Sequence, residues 1–258
     1  MKIFIDVGSH FGETLNEVRK DKYGFDIIYS IEPSKKCIKN LQAIKDHRLN
    51  FFNFGLSNSN KEVQLYNSGL AKASIYTNKK NNNYEIIKLV KASEWFKKYI
   101  KHNHIVVVKL NCEGSECDIV EDLILSNEIY KIYNILITFD VRFFDQVRQR
   151  ELEVRKKLKN IKLYNHCYSD DVMKGATHNK RIENWLKIIG ANRNFSNLVD
   201  IRKEYFSTLK IYSNKSGFVT RLESNFKRVF FYNKYPKIIK FILQYLKRSL
   251  GLSREHPK

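Results

Sequence analysis

The chain opens on an apolar run that stops at a glycine. Lys2-Ile3-Phe4-Ile5-Asp6-Val7 reads as a short buried strand, and Gly8-Ser9-His10-Phe11-Gly12 breaks it before helical spacing begins near Glu13-Thr14-Leu15. Strand, glycine turn and helix in that order leave few folds open. Gly8 permits a sharp bend and lets a ligand approach bare backbone, Gly12 permits close packing, and the helix start offers unpaired N–H groups to a carboxylate or hydroxyl. Asp6, at the carboxyl end of the strand, is placed to orient the loop and to accept hydrogen bonds from an amino group. A two-glycine turn also serves as a plain connection, so alone it names no ligand.

The next apolar run sharpens the reading. Asp26-Ile27-Ile28-Tyr29-Ser30-Ile31 ends in Glu32-Pro33, and Glu32 falls 26 residues after Asp6, near the separation at which an acid ending the second strand of a βαβ unit meets ribose hydroxyls. Two strand-end carboxylates then flank one glycine turn, and a nucleotide-like ligand is expected between them.

Between and after these strands the spacing predicts a helix over 14–23 stopping at Gly24, and a second over 34–45 capped by Ser34, with Cys37, Ile38, Leu41 and Ile44 on its apolar side. Residues 50–56 read as a third strand closing at Gly55-Leu56-Ser57-Asn58, where Ser57 either meets the purine end of a ligand or belongs to an ordinary polar turn. Short alternating pieces at 62–66, 72–76 and 85–90 suggest a small β excursion split by the Asn-Lys-rich stretch 78–83. A helix over 92–100 carries Trp95, Phe96 and Tyr99 on one side. It leads into Ile105-Val106-Val107-Val108-Lys109-Leu110, a β-branched run suited to a strand covered on both faces. The turn at 111–116 feeds a helix over 117–126, and 130–139 makes a fifth strand ending at Asp140.

A length of 258 residues suits one α/β domain with an appendage or two small domains. The formal net charge of +20 implies a polyanionic neighbour, for which nucleic acid, an anionic membrane surface and an acidic glycan all qualify. Enrichment in Lys, Asn and Ile, the bias of an AT-rich genome, is the alternative source of part of that charge. Cys37, Cys112, Cys117 and Cys167 form no C-x-x-C pair, so reduced thiols in a cytosolic protein are expected, with neither a disulfide frame nor a zinc site. His102 and His104 have no companion ligands in the sequence, and no metal is expected. Met1-Lys2 leads straight into the first strand with no room for a separate targeting segment, and no uninterrupted apolar stretch is long enough to span a bilayer.

Four separated stretches resemble one known family. The turn from Phe4 to Thr14, the strand end Ser30-Ile31-Glu32-Pro33, the corner Gly55-Leu56-Ser57-Asn58 and the element Val108-Lys109-Leu110-Asn111-Cys112-Glu113-Gly114-Ser115-Glu116 are similar, in order and spacing, to FkbM-type methyltransferases over roughly residues 2–140. Asn111 stands where that family usually has Asp, so no acid at that point is available for metal binding or proton removal. The resemblance implies an α/β class I methyltransferase (Rossmann-like) fold, a mostly parallel seven-stranded sheet flanked by helices. It also implies S-adenosyl-L-methionine (SAM) as cofactor at the carboxyl ends of the first strands, and methyl transfer to a hydroxyl of a sugar or natural product. Carried onto this chain, Asp6, Gly8, Ser9, His10, Gly12 and Thr14 form the turn around the methionine part, Glu32 takes the ribose hydroxyls, and Ser57 and its neighbours lie near adenine.

Methyl transfer from a sulfonium is an in-line displacement from an activated donor, so the protein has to align an oxygen and accept its proton. Glu113, in the loop after the central strand, is the expected proton acceptor; its alternative role is to satisfy N–H groups at the start of the following helix. Lys109, a charge in an apolar strand, either orients Glu113, binds an acceptor oxygen, or pairs with Asp6 or Glu116. Asn111 is placed to donate to the acceptor or the cofactor, and His10 is read as a polar contact with cofactor.

Beyond Arg142 the resemblance fades. Residues 141–159 read as a charged helix, 161–166 as an edge strand, 171–179 as a polar loop over the acceptor, and 182–189 as a helix with Trp185, Leu186 and Ile189 inward. The methyltransferase domain is drawn over 1–222 and a basic amphipathic, helical C-terminal extension over 223–258. From Ser224 onward nine Lys or Arg residues stand against Glu255 alone, interleaved with Phe230, Phe231, Ile238, Ile239, Phe241 and Ile242, with Pro236 dividing two helices. That pattern suits an anionic membrane surface, or a helix packed on the domain with a basic outer face. The expectation is a cytoplasmic enzyme, peripheral on the inner face of the membrane. Its acceptor is a sugar or glycan, lipid-linked or otherwise bound for capsule or lipopolysaccharide. Nucleic-acid methylation is the second reading, though neither an Asn-Pro-Pro-aromatic element nor an RNA-binding module is present. The third is a non-catalytic membrane- or glycan-binding protein on a methyltransferase scaffold.

Overall fold

The computed structural model describes residues 1–70, 73–76, 83–161 and 165–191. They lie in one compact unit, Met1–Arg193. In chain order the elements are β1 (Lys2–Val7), α1 (Leu15–Val18), β2 (Ile27–Ile31), α2 (Lys35–Gln42), β3 (Leu49–Phe52), β4 (Gly55–Ser57), β5 (Lys61–Tyr66) and β6 (Tyr84–Lys91). Then follow α3 (Ala92–Tyr99), β7 (Ile105–Leu110), α4 (Glu116–Leu125), β8 (Ile132–Ile137), α5 (Gln149–Asn160), β9 (His166–Tyr168), α6 (Ser169–Val172) and α7 (His178–Ile188).

Six strands form the main sheet in the order β3-β2-β1-β7-β8-β9, every neighbouring pair parallel. The chain builds outward from β1 to β3, then returns to the other side of β1 and builds outward again. Strand order therefore reverses between β1 and β7, and the carboxyl ends at such a reversal splay apart into a crevice. Both central strands are buried along their whole length, as their β-branched and aromatic residues require. Successive β1 side chains serve opposite faces. Ile3, Ile5 and Val7 join Trp95, Phe96 and Ile119 in the main core. On the other face Phe4 meets Phe25 edge-on at 5.3 Å and Trp185 at 6.2 Å, which fixes α7 beside α1.

A second, three-stranded sheet in the order β4-β6-β5 stands beside the first. It corrects the expected single strand over 50–56. β3 stays with β2, whereas β4 leaves to pair with β6, because Asn53 Nδ2 donates to the carbonyls of Glu32 (3.1 Å) and Pro33 (2.9 Å) and turns the chain away. Residues 72–76 form no strand among the described residues; Ser74 makes a lone bridge to Tyr66. The helix expected over 14–23 is α1 followed by a 3-10 turn, Asp21–Tyr23, ending on Gly24 in the left-handed region. Ser34 caps α2 as read, its hydroxyl accepting from the Cys37 N–H. The polar loop expected over 171–179 is the end of α6, a short connection and the first turn of α7. The seventh strand is not among the described residues. The 222/223 boundary, the basic tail, most of the 78–83 stretch and residues 162–164 of the expected 161–166 strand also lie outside them.

Candidate active site

Two turns meet where the strand order reverses. The first follows β1: Gly8 (φ +80°) and Ser9 donate their N–H groups to Ile31 O at 3.0 and 3.3 Å, which fastens the turn to the end of β2. The second follows β7, where Asn111 N–H donates to Val7 O at 3.1 Å. A Cβ on Gly8 would stand 1.9 Å from Asn111 O. Only glycine lets the turns touch.

Glu32, nearly sealed from water, ties the tip of β2 to the first turn: its Oε2 accepts the His10 N–H at 2.8 Å and its Oε1 the Ser34 N–H at 2.9 Å. Burial raises its pKa against those N–H groups. His10 sits in the left-handed region at φ +50°, with Nδ1 2.8 Å from Glu13 Oε1. Its Nε2 is buried with no hydrogen-bond partner among the described residues. Ser9 Oγ donates to Asp6 O at 3.0 Å and receives Ser30 Oγ at 2.9 Å.

Across the reversal Lys109 pairs with Asp6. The two are register partners on β7 and β1, and Lys109 Nζ lies 2.9 Å from Asp6 Oδ1 and 3.3 Å from Gly8 O. Of the readings open for Lys109, the pair with Asp6 is the one formed. Asp6 is fully buried, its Oδ2 unpartnered among the described residues; burial raises its pKa and Lys109 opposes the rise.

These turns and the small sheet enclose a cavity of about 290 Å³, at the lower end of the ~300–1,000 Å³ usual for small-molecule sites. Gly8, Ser9, His10, Thr14, Glu32, Lys109, Asn111 and Glu113 all line it, so eight residues singled out in separate stretches of the chain share one space. Leu65, Ala73, Ile75, Ile87 and Leu89, from the small sheet and its loop, give it an apolar wall. Three expected residues stand elsewhere. Asp6 lies behind the cavity wall, paired with Lys109. Gly12 (φ +90°) packs under Leu41 and Ile44, where a Cβ would meet their side chains at 3.0 and 3.2 Å. Ser57 turns inward, its buried hydroxyl donating to Asp118 Oδ2 at 3.1 Å, and Gly55 and Leu56 line the cavity in its stead.

In the loop after β7, N–H groups near the start of the next helix are taken by Glu116 rather than Glu113: Glu116 Oε1 accepts from Cys112 at 3.0 Å and Oε2 from Gly114 at 3.0 Å. Glu113 itself lines the cavity in the left-handed region (φ +55°), and its carbonyl accepts from Ser74 Oγ. Sequence reasoning placed the polar loop 171–179 over the acceptor but did not single out His178 within it. His178 lines the cavity from the start of α7, with Nε2 3.0 Å from Thr14 Oγ1. Burial, and then the nearby Lys109, lower its pKa, so the ring is neutral at pH 7. Its one sequence signal was Thr177, a helix N-cap residue that does cap α7 by accepting from Lys180 N–H. Among the described residues no group of three or more His, Cys, Asp or Glu is arranged to hold a metal ion, and no helix is long and apolar enough to cross a membrane.

A parallel sheet that reverses order beside a glycine bend, with a mixed polar and apolar cavity over the reversal, defines an α/β domain of the methyltransferase-like class. Residues 6–187 match the Methyltransferase FkbM domain, and the chain belongs to that family. No curated protein matches it. Among solved structures it is similar to the methyltransferase FkbM from Methylobacillus flagellatus KT, at 15% identity and a TM-score of 0.38, over 64% of this chain. The match spans 38% of the length of that solved chain.

Proposed function

We propose that the chain is an SAM-dependent O-methyltransferase acting on a hydroxyl of a sugar or glycan. The observation that carries the reading is the shared cavity, in which the β2-tip acid Glu32 and the post-β7 residues Asn111 and Glu113 meet across the bare backbone of Gly8. The residues present fit an adenosyl amino acid. The apolar wall suits a purine, and Glu32 keeps lone pairs for ribose hydroxyls beyond the two N–H bonds it accepts. His10 Nε2 and Asn111 Oδ1 are buried without partners among the described residues, and a polar ligand atom would relieve each of that desolvation cost.

When bound, SAM supplies a methyl group already activated on a sulfonium. The chain's own part is then to hold and deprotonate the acceptor. Asn111 orients the acceptor hydroxyl through its side-chain amide, Glu113 takes the proton, and the Lys109–Asp6 pair keeps the two turns in register. The basic tail, outside the described residues, is proposed to bring the enzyme to an anionic membrane surface where lipid-linked glycan precursors are met.

Calorimetric titration of the full chain with S-adenosylhomocysteine tests the donor half. Saturable binding is expected, weakened about tenfold or more by Glu32→Ala, since a hydrogen bond to a charged group contributes ~1.5–3 kcal/mol. A wild-type chain that ignores the ligand at millimolar concentration ends the proposal. Transfer of a radiolabelled methyl group to a panel of free and lipid-linked sugars, with RNA as the competing acceptor, tests the other half. Flotation on anionic liposomes with and without residues 224–258 tests the tail, and equal flotation would remove it as an anchor.

A further inference from the structure

Residues 73–76 touch two parts of the site at once. Ala73 and Ile75 line the cavity and pack against Leu65, Ile87 and Leu89 of the small sheet, as part of its apolar wall. Ser74 and Tyr76 meet the loop after β7 instead. Ser74 Oγ donates to the carbonyl of Glu113, and the Tyr76 ring covers Gly114, where a Cβ would stand 2.7 Å from the Tyr76 Cδ2. Alternate residues of an extended stretch point to opposite sides, so one short strap serves both neighbours. Its backbone is anchored at Ser74, which exchanges two hydrogen bonds, of 2.8 and 3.1 Å, with Tyr66 at the end of β5.

We propose that Ser74 is a positioning residue for Glu113: it holds the peptide unit between Glu113 and Gly114, and through the strap it ties the place of Glu113 to the apolar wall that receives the donor. This rests on the proposed methyl transfer for the donor and for what Glu113 does.

The peptide unit that joins Glu113 to Gly114 is gripped at both ends. Its N–H, on Gly114, ends on the Glu116 carboxylate, 3.0 Å from Oε2 and 3.2 Å from Oε1, and its C=O, on Glu113, receives Ser74 Oγ. A planar unit held on both sides cannot swing, and a swing here is what would release the flanking residues from positive φ, +55° at Glu113 and +130° at Gly114. A non-glycine residue keeps such a backbone only where its surroundings over-determine it. Glu116, with no exposed surface, supplies one hold, and Ser74, also buried, supplies the other. The direction of the Ser74 hydroxyl is itself set. Its oxygen accepts the Tyr76 N–H at 3.1 Å, which leaves the O–H proton for the Glu113 carbonyl. The Tyr76 ring also meets Phe144, beyond β8, with centroids 5.8 Å apart, so the strap cannot lift off Gly114 without losing that contact.

Hydrogen exchange of the Gly114 amide reads the hold directly, without an acceptor. In the full chain labelled with nitrogen-15, Ser74→Ala should quicken exchange of that amide about tenfold, the effect of leaving one buried carbonyl without its donor, while Val107 in β7 exchanges as in the wild type. Ser74→Thr keeps the hydroxyl and should restore the wild-type rate. S-adenosylhomocysteine should slow the Ser74 and Gly114 amides together in the wild type, and should slow Gly114 less in Ser74→Ala. A Gly114 rate unchanged in Ser74→Ala, or a quickening that Val107 shares and that marks a general loss of stability, would overturn the assignment. Protection of one of the two wild-type amides without the other would overturn the tie to the wall, even if Ser74→Ala folds poorly. A chain in which Ser74→Ala quickens Gly114 but which binds no S-adenosylhomocysteine by calorimetry would sink the donor site and leave Ser74 as the residue that holds the loop.

Discussion

Lys109 Nζ stands 2.9 Å from Asp6 Oδ1 across the two strands between which the sheet reverses order, and the pair is almost sealed from water. Neither charge is tolerable there alone. Lys109→Met is expected to destabilise the domain by about 3–5 kcal/mol because it strands the Asp6 carboxylate in a dry interior. Adding Asp6→Asn should recover much of that loss, the mark of a charge left unpaired rather than of packing lost. Urea unfolding of the two single variants and the double variant measures the coupling, and additive losses would show that the pair is not the device that joins β1 to β7.

Gly8 and Gly24 both hold positive φ, but only one is hemmed in. A Cβ on Gly8 meets Asn111 O at 1.9 Å, while one on Gly24 meets nothing within 4 Å. Gly24→Ala should therefore cost only the conformational penalty of about 1–2 kcal/mol. Gly8→Ala must in addition push the two turns apart, and should lose S-adenosylhomocysteine binding along with a larger share of stability. Equal thermal midpoints for the two variants would contradict the close approach of the turns.

His178 makes stability depend on pH with a sign opposite to that of the buried acids. Its folded pKa is depressed, by burial first and Lys109 second, so below about 6.5 the unfolded chain binds a proton that the folded one refuses. Stability from this group is present above that pH and is lost as pH falls toward the folded value. Burial raises the folded values of Glu116 and Asp140, so their contribution is full below the unfolded carboxylate range of about 4 and is lost as pH rises from there through the folded values. Asp6 and Glu13 face the ring as acids, and Lys109 and Arg181 as cations. Subtracting the stability curve of His178→Gln from that of the wild type isolates the histidine, and the difference should shrink as pH drops from 7 to 5. A flat difference would mean that the imidazole titrates as it does in water.

What could be read from the sequence was what local pattern determines. The β-branched run of β7 and the Ser34 cap depend on neighbours in the chain, and the structure keeps both; of the two strand-end acids Glu32 lines the cavity, whereas Asp6 pairs with Lys109 behind it. His178 was illegible because it lies 164 residues from Thr14 and arrives only when Trp185 docks against Phe4 on the far face of the sheet. Glu113 and Glu116 are three apart in one motif, and no periodicity says which faces the cavity. The positive φ at Glu113 and Gly114 decides it, by turning one carboxylate's backbone toward the cavity and aiming the loop's N–H groups at the other. Ser57 was misplaced for a related reason. The chain leaves the main sheet at Asn53, and that departure brings the Ser57 hydroxyl to Asp118.

Glu113→Gln separates donor binding from transfer. The carboxamide keeps the size and polarity of the side chain but cannot take a proton, and a positioned base contributes about 10²–10⁴-fold to such a step. The Glu113 carbonyl, which accepts from Ser74 Oγ, belongs to the backbone and survives the substitution. Loop conformation and S-adenosylhomocysteine affinity should accordingly stay within a few-fold of wild type, while labelled methyl transfer to the sugar found in the acceptor panel falls by about that factor. Glu113→Asp should lie between the two, since it keeps the base but shortens its reach. Turnover unchanged in Glu113→Gln would remove Glu113 from the chemistry and leave neutral His178, which lines the same cavity, as the next proton acceptor to test.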